Sequence, residues 1–132
     1  MRKILATVLA MALVLATGTV ALAAGGPHYD DTLNAFFAEG TPITVSEPTT
    51  PGQGATITWN GGSMEVPANA NIFGGYHDDD TACTTSITMT GGTVNNLFGG
   101  GLHKSHVTAA TVVMSGGTVA SVCGGGASSF TH

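Results

Sequence analysis

Apolar and polar residues alternate with a period of two over three short stretches, and each stretch ends on a glycine pair. These are Ile57-Thr58-Trp59-Asn60-Gly61-Gly62, Ile87-Thr88-Met89-Thr90-Gly91-Gly92 and Val112-Val113-Met114-Ser115-Gly116-Gly117. Each leads to a second apolar block that also closes on glycine: Ile72-Phe73-Gly74-Gly75, Leu97-Phe98-Gly99-Gly100-Gly101 and Val122-Cys123-Gly124-Gly125-Gly126. The second block recurs every 25 residues (Gly74, Gly99, Gly124), and the first at 30 and then 25 (Gly61, Gly91, Gly116). The five additional residues fall around Met64–Asn69 and read as a loop extruded from one copy.

Alternation of this kind is the signature of strands, and Thr and Val favour a pleated backbone. A period of 25 residues holds about three strands of 4–6 residues with bends between them. If successive copies stack, like residues lie about 4.8 Å apart. Ile57/Ile87/Val112 and Trp59/Met89/Met114 would then form interior ladders, with Met64/Val94/Val119 and Ile72/Leu97/Val122 as further ones. The expected fold is all-β, a short solenoid of about three 25-residue coils over residues 56–132.

The ends read differently. Arg2 and Lys3, the apolar run Ile4–Ala16 and Ala21-Leu22-Ala23 have the layout of a secretory signal peptide over residues 1–23. Residues 24–55 read as an N-terminal cap and linker. In it Asp31 would cap a short helix carrying Leu33, Phe36 and Phe37 on one face, ended by Gly40. Pro42–Val45 adds one strand, and Pro48–Gly54 reads as a turn. The third coil stops on its third side at His132, so the repeat reads as truncated, or its open edge as covered by a partner.

Gly91-Gly-Thr-Val-Asn-Asn-Leu-Phe-Gly-Gly-Gly101, repeated at 116–126, resembles the glycine-rich repeats of large secreted or surface proteins of gut Firmicutes. The resemblance covers about residues 56–126. It implies a right-handed parallel β-helix, broadly like pectate-lyase-type and adhesin β-helices, and it implies no particular activity.

Charge narrows the partners. Losing Arg2 and Lys3 takes the formal net charge from −5 to −7 and leaves Lys104 as the one basic residue against eight acids. Such a chain cannot neutralise a row of phosphates, which excludes nucleic acid as a partner. It equally excludes anchoring on an anionic membrane once the signal is removed.

Asp78, Asp79 and Asp80 form the one dense charge cluster. Calcium is the cation that such oxygens would take, but three consecutive carboxylates on a strand cannot all face one ion. A solvated edge, with Asp79 paired to Lys104 one coil on, is the simpler expectation. His103 and His106 point to opposite faces of a strand, so no metal site is expected there. Cys83 and Cys123 fall on different sides of the coil and read as free, largely buried thiols.

A lyase would need a basic proton acceptor, for which Lys104 alone is offered. A glycosidase would need two carboxylates across a cleft. The residue types therefore favour a non-catalytic module, structural or adhesin-like, secreted or held at the cell surface, with no required cofactor. The second reading is a carbohydrate-binding or polysaccharide lyase-like module. Its ligand groups would be Tyr76, His77, Asp78, Asp79, Asp80, His103 and His106. A cell-surface glycan, or self-association through the open C-terminal edge, are the partners this composition allows.

Overall fold

The computed structural model describes residues 26–127. The expected signal peptide, and the last residues 128–132, lie outside the described residues. Ten strands follow one another: β1 (His28–Asp30), β2 (Ala35–Phe37), β3 (Ile43–Ser46), β4 (Ala55–Trp59), β5 (Gly62–Val66), β6 (Asn71–Phe73), β7 (Ala82–Met89), β8 (Thr93–Phe98), β9 (His106–Met114) and β10 (Thr118–Cys123). They form two five-stranded sheets, β1-β2-β6-β8-β10 and β5-β4-β3-β7-β9.

Both sheets are mixed. β2, β6, β8 and β10 run parallel to their neighbours in that order, and β1 is antiparallel to β2. In the other sheet β3, β7 and β9 are parallel, whereas β4 is antiparallel to both β3 and β5. This arrangement replaces the expected three-coil right-handed parallel β-helix with its helical cap. The 25-residue step survives as strand register in both sheets: Ile72 lies beside Leu97 and Leu97 beside Val122 in one, and Ile87 beside Val112 and Met89 beside Met114 in the other. Val94 likewise lies beside Val119.

The ladder expected for Ile57 does not form. Ile87 pairs with Ile43 on one side and Val112 on the other, while Ile57 pairs antiparallel with Val45 and Met64. The physical reason lies in the glycine pair. Asn60-Gly61 is the two-residue connection between paired Trp59 and Gly62, and Gly61 carries the positive φ (115°). In the other two copies the second glycine carries it, at Gly92 (86°) and Gly117 (93°). Shifting the left-handed residue by one position turns the chain back as a hairpin. The expected extruded loop at Met64–Asn69 is accordingly the second strand of that hairpin and the turn after it.

No helix occurs among the described residues. The segment expected to be a helical cap is instead the β1–β2 hairpin. Asp30 Oδ1 accepts from the backbone N–H of Thr32 (3.0 Å) and of Leu33 (3.2 Å), and Asn34 adopts φ 50°. These side-chain-to-backbone bonds make a turn in place of a helix start. Ala35, Phe36 and Phe37 are then all fully buried in a strand covered on both faces.

Two apolar clusters result. The larger gathers Phe36, Ile43, Val45, Ile57, Ile72, Ile87, Met89 and Leu97, with the half-buried Trp59 against it. Trp59 meets Phe36 at 5.7 Å between ring centroids. The smaller cluster gathers Ala35, Phe37, Phe73 and Leu102. Its rings form a column across the strands, Phe37 to Phe73 at 5.1 Å and Phe73 to Phe98 at 4.6 Å, both stacked.

Candidate functional site

The chain leaves each glycine bend on the same side of the molecule, and there the expected site residues lie. His77 bridges to Leu102 and Leu102 to Ala127, each in parallel and each 25 residues on. Asp78 N–H donates to the Leu102 carbonyl (2.9 Å), and Leu102 N–H donates to the Tyr76 carbonyl (2.9 Å). Asp78 and His103 both take the left-handed conformation, at φ 53° and 61°. They occupy the same turn position in successive layers, a place that tolerates short polar residues better than branched ones.

His77 lies flat on Phe37, with ring centroids 5.2 Å apart and planes 15° apart. Its other neighbour is His103, at 5.7 Å and 60°. The structure thus brings His77 and His103 together, with Asp78 on the turn next to His77. It does not bring His106 to them through any described contact. His106 opens β9 opposite Ala82 and is exposed.

Asp79 is engaged locally. Its Oδ1 accepts from Thr81 N–H (2.9 Å) and Thr81 Oγ1 (2.6 Å), and the hydroxyl above all holds the Asp79 carboxyl below its ordinary range. The expected Asp79–Lys104 pair is not formed. Asp80 is exposed. Tyr76 is half-buried, and burial pushes its phenol above the ordinary value, with the Glu39 charge adding to the effect. Among the described residues no three metal-ligating side chains are gathered into one group. Both cysteines are free. Cys83 is half-buried, and burial raises its thiol pKa, but Cys123 is exposed at the end of β10, contrary to the expected burial.

One feature escaped the sequence. An open groove of about 480 Å³ runs between the start of β9 and the bend at Gly124–Gly126, with His103, Ser105 and Ala127 among its lining residues. Ser105 Oγ is buried there with no hydrogen-bond partner. The groove is lined where β9 is irregular. Cys83 pairs with Val107 but Thr84 pairs with Ala109, so Thr108 is the extra residue of a bulge. Thr108 Oγ1 donates to the Cys83 carbonyl (3.2 Å).

Elsewhere, carboxylates serve as turn fasteners. Glu65 Oε2 accepts from Thr49 N–H (2.5 Å), Thr49 Oγ1 (3.0 Å), Thr50 N–H (3.1 Å) and Thr56 Oγ1 (3.1 Å). Donation from the Thr50 hydroxyl first, and from the Thr49 amide next, lowers its pKa to about 2. Glu39 accepts from Gly26 N–H (2.6 Å) and lies 3.9 Å from the His28 ring nitrogen. Comparison with protein-family models, with curated proteins and with solved structures found no match to this chain.

Proposed function

We propose that this chain is a non-catalytic structural module of the extracytoplasmic space, adhesin-like in use. The observation that supports this most is the continuity of its side-chain columns. Phe37, Phe73 and Phe98 stack through three strands, and Asn71, Asn96 and Ser121 are hydrogen-bonded in sequence through the same sheet. Cross-strand columns of this kind rigidify a sheet and fix its register. The acidic side chains Asp30, Asp79 and Glu65 add to the same end, because each is engaged in pinning a turn. The secretory layout of residues 1–23 supports the location.

A second reading, a glycan-binding module, draws support from the His77–His103 ring pair and the groove that His103 lines. Rings and uncharged polar groups beside a groove suit sugar hydroxyls and C–H faces. Calcium would enter this reading only through the exposed Asp78 and Asp80, since Asp79 is occupied by Thr81.

One experiment separates the two. The exported chain is applied to a polysaccharide array beside its Asp78→Ala, Asp80→Ala double variant, and both are melted with and without calcium. A blank array and calcium-independent melting support the structural reading. Binding lost in the double variant supports the second and overturns the first. N-terminal sequencing of the exported product tests the location, with Ala24 expected as its first residue.

A further inference from the structure

The hairpin of β4 and β5 turns on Asn60-Gly61, and both residues are exposed. An asparagine amide carbon lies within reach of the backbone nitrogen of the following residue. Attack by that nitrogen is open where it carries no hydrogen bond and the following residue has no side chain to obstruct it. Among the six asparagines of the chain, Asn60 alone meets both conditions. Asn34, Asn71, Asn95 and Asn96 precede Ala35, Ile72, Asn96 and Leu97, each in a strand paired on both sides. Their amides are engaged as well. Asn34 Nδ2 donates to the Asn69 carbonyl (3.0 Å), and Asn95 and Asn96 donate to Asn71 Oδ1. Asn69 is exposed, but the nitrogen that follows it, that of Ala70, donates to the Pro67 carbonyl (3.1 Å). Gly61 N–H has no hydrogen-bond partner among the described residues, and a Cβ placed on Gly61 would meet nothing within 4 Å.

We infer that Asn60 is a site of self-modification, where the folded chain deamidates through a succinimide. The Gly61 nitrogen bonds to Asn60 Cγ and gives up its proton, the Cγ–Nδ2 bond breaks, and Nδ2 leaves as ammonia. Water then opens the ring. Opening at the side-chain carbonyl gives aspartate, and opening at the backbone carbonyl gives isoaspartate. The sum is one water taken up and one ammonia released, with no change of oxidation state.

The fold gives this step a consequence. Trp59 pairs with Gly62 across a two-residue connection, and a connection that short fixes the register of the hairpin it joins. Isoaspartate routes the backbone through Cβ and Cγ and lengthens that connection by one atom. The one described neighbour of β5 is β4, so the altered turn loosens an outer strand and leaves the pairing of β3 with β7 in place. Trp59, the single tryptophan, lies against Gly62 at this turn and reports the change. The site is separate from the His77–His103 pair and the groove, and it requires neither functional reading above.

The test ages the full chain at neutral pH beside a synthetic peptide of residues 57–65, with peptide mapping and mass spectrometry of both. The expected result is conversion of Asn60 alone, seen as the mass difference between OH and NH2, with equimolar ammonia and with isoaspartate among the products. Conversion runs faster in mildly alkaline than in mildly acidic buffer. As it proceeds, Trp59 emission shifts to the red and amide exchange in β5 quickens, while exchange in β7 is unchanged. Asn60→Gln, whose longer side chain closes the ring poorly, should keep its mass and its emission over the same interval. Should that variant fail to fold, the site-resolved masses of the unaltered chain decide alone. An Asn60 still intact when the peptide is consumed overturns the inference, as does earlier conversion at any other asparagine. Conversion that leaves β5 exchange unaltered overturns the loosening.

Discussion

Asn96 Nδ2 donates to Asn71 Oδ1 at 2.8 Å, one 25-residue step back along the chain. The same oxygen accepts from Asn95 Nδ2 at 3.3 Å, and Asn96 Oδ1 accepts from Ser121 Oγ at 2.5 Å. Asn71 is only 3% exposed, so its amide depends on these partners. Removing one side of a buried hydrogen-bonded pair costs about 1–3 kcal/mol. Asn71→Ala should lower the free energy of unfolding measured in urea by that amount, and Ser121→Ala, at the exposed end of the column, by much less.

Phe73 stands between Phe37 and Phe98 in the ring column. It is fully buried, whereas Phe98 is half-buried. Truncation of a buried phenylalanine leaves a cavity and costs about 3–5 kcal/mol. Phe73→Ala should therefore destabilise the chain by that much in chemical denaturation, and Phe98→Ala by clearly less. Equal losses would mean that the column is not the core of this side.

Glu65 gives the stability an acid limb. Its carboxylate is ionised down to about 2 in the folded chain, against an ordinary 4.5, because the Thr50 hydroxyl and, next, the Thr49 amide donate to it. A lowered folded pKa contributes stability above the ordinary value, and that contribution is lost as pH falls from 4.5 through about 2. Glu65→Gln should flatten this loss without abolishing it, since Asp30 and Asp79 are lowered in the same sense. Denaturation midpoints near neutrality and at about pH 3 measure the difference.

Asp79 holds the turn into β7 through Thr81. Asp79→Ala should lower the melting temperature, and calcium should neither rescue the variant nor shift the unaltered chain. A calcium-dependent rise in melting that disappears in Asp79→Ala would reassign this carboxylate from turn to ligand.

The parallel run β6-β8-β10 of one sheet, and the pairing of β7 with β9 in the other, could be read from residues alone, whereas β1 and β2 could not. The 25-residue spacing places Ile72, Leu97 and Val122 side by side, as observed. The other sheet misled because two segments compete for one place. Ile57–Gly62 matches the repeat in pattern, but its Asn-Gly turn folds it into a hairpin. Ile43–Ser46 lacks the glycine pair and so escapes alignment, yet it supplies the parallel partner of β7. The expected helix failed for a related reason. Leu33, Phe36 and Phe37 have helical spacing, but over so few residues a strand buried on both faces gives the same pattern.

The candidate site was legible only where it follows the repeat. Asp78 and His103 are equivalent turn residues, which their spacing already shows. The groove at Ser105 is lined by the bulge residue Thr108 and by the last glycine bend, and no local pattern announces the bulge.

The pairing of β3, not β4, with β7 carries the whole arrangement, and a disulfide can report it directly. With Cys83 and Cys123 changed to Ser, cysteines are introduced pairwise at Thr44 and Thr88, or at Thr58 and Thr88. Thr44 is the direct neighbour of Thr88, while Thr58 lies beyond Thr44 on the far strand. Two strand spacings are about 9.6 Å, outside disulfide reach, and one spacing is about 4.8 Å, within it. Rapid oxidation of the Thr44→Cys, Thr88→Cys chain and none of the Thr58→Cys, Thr88→Cys chain is the expected result. Ready closure of the second pair, with the first left open, would contradict it.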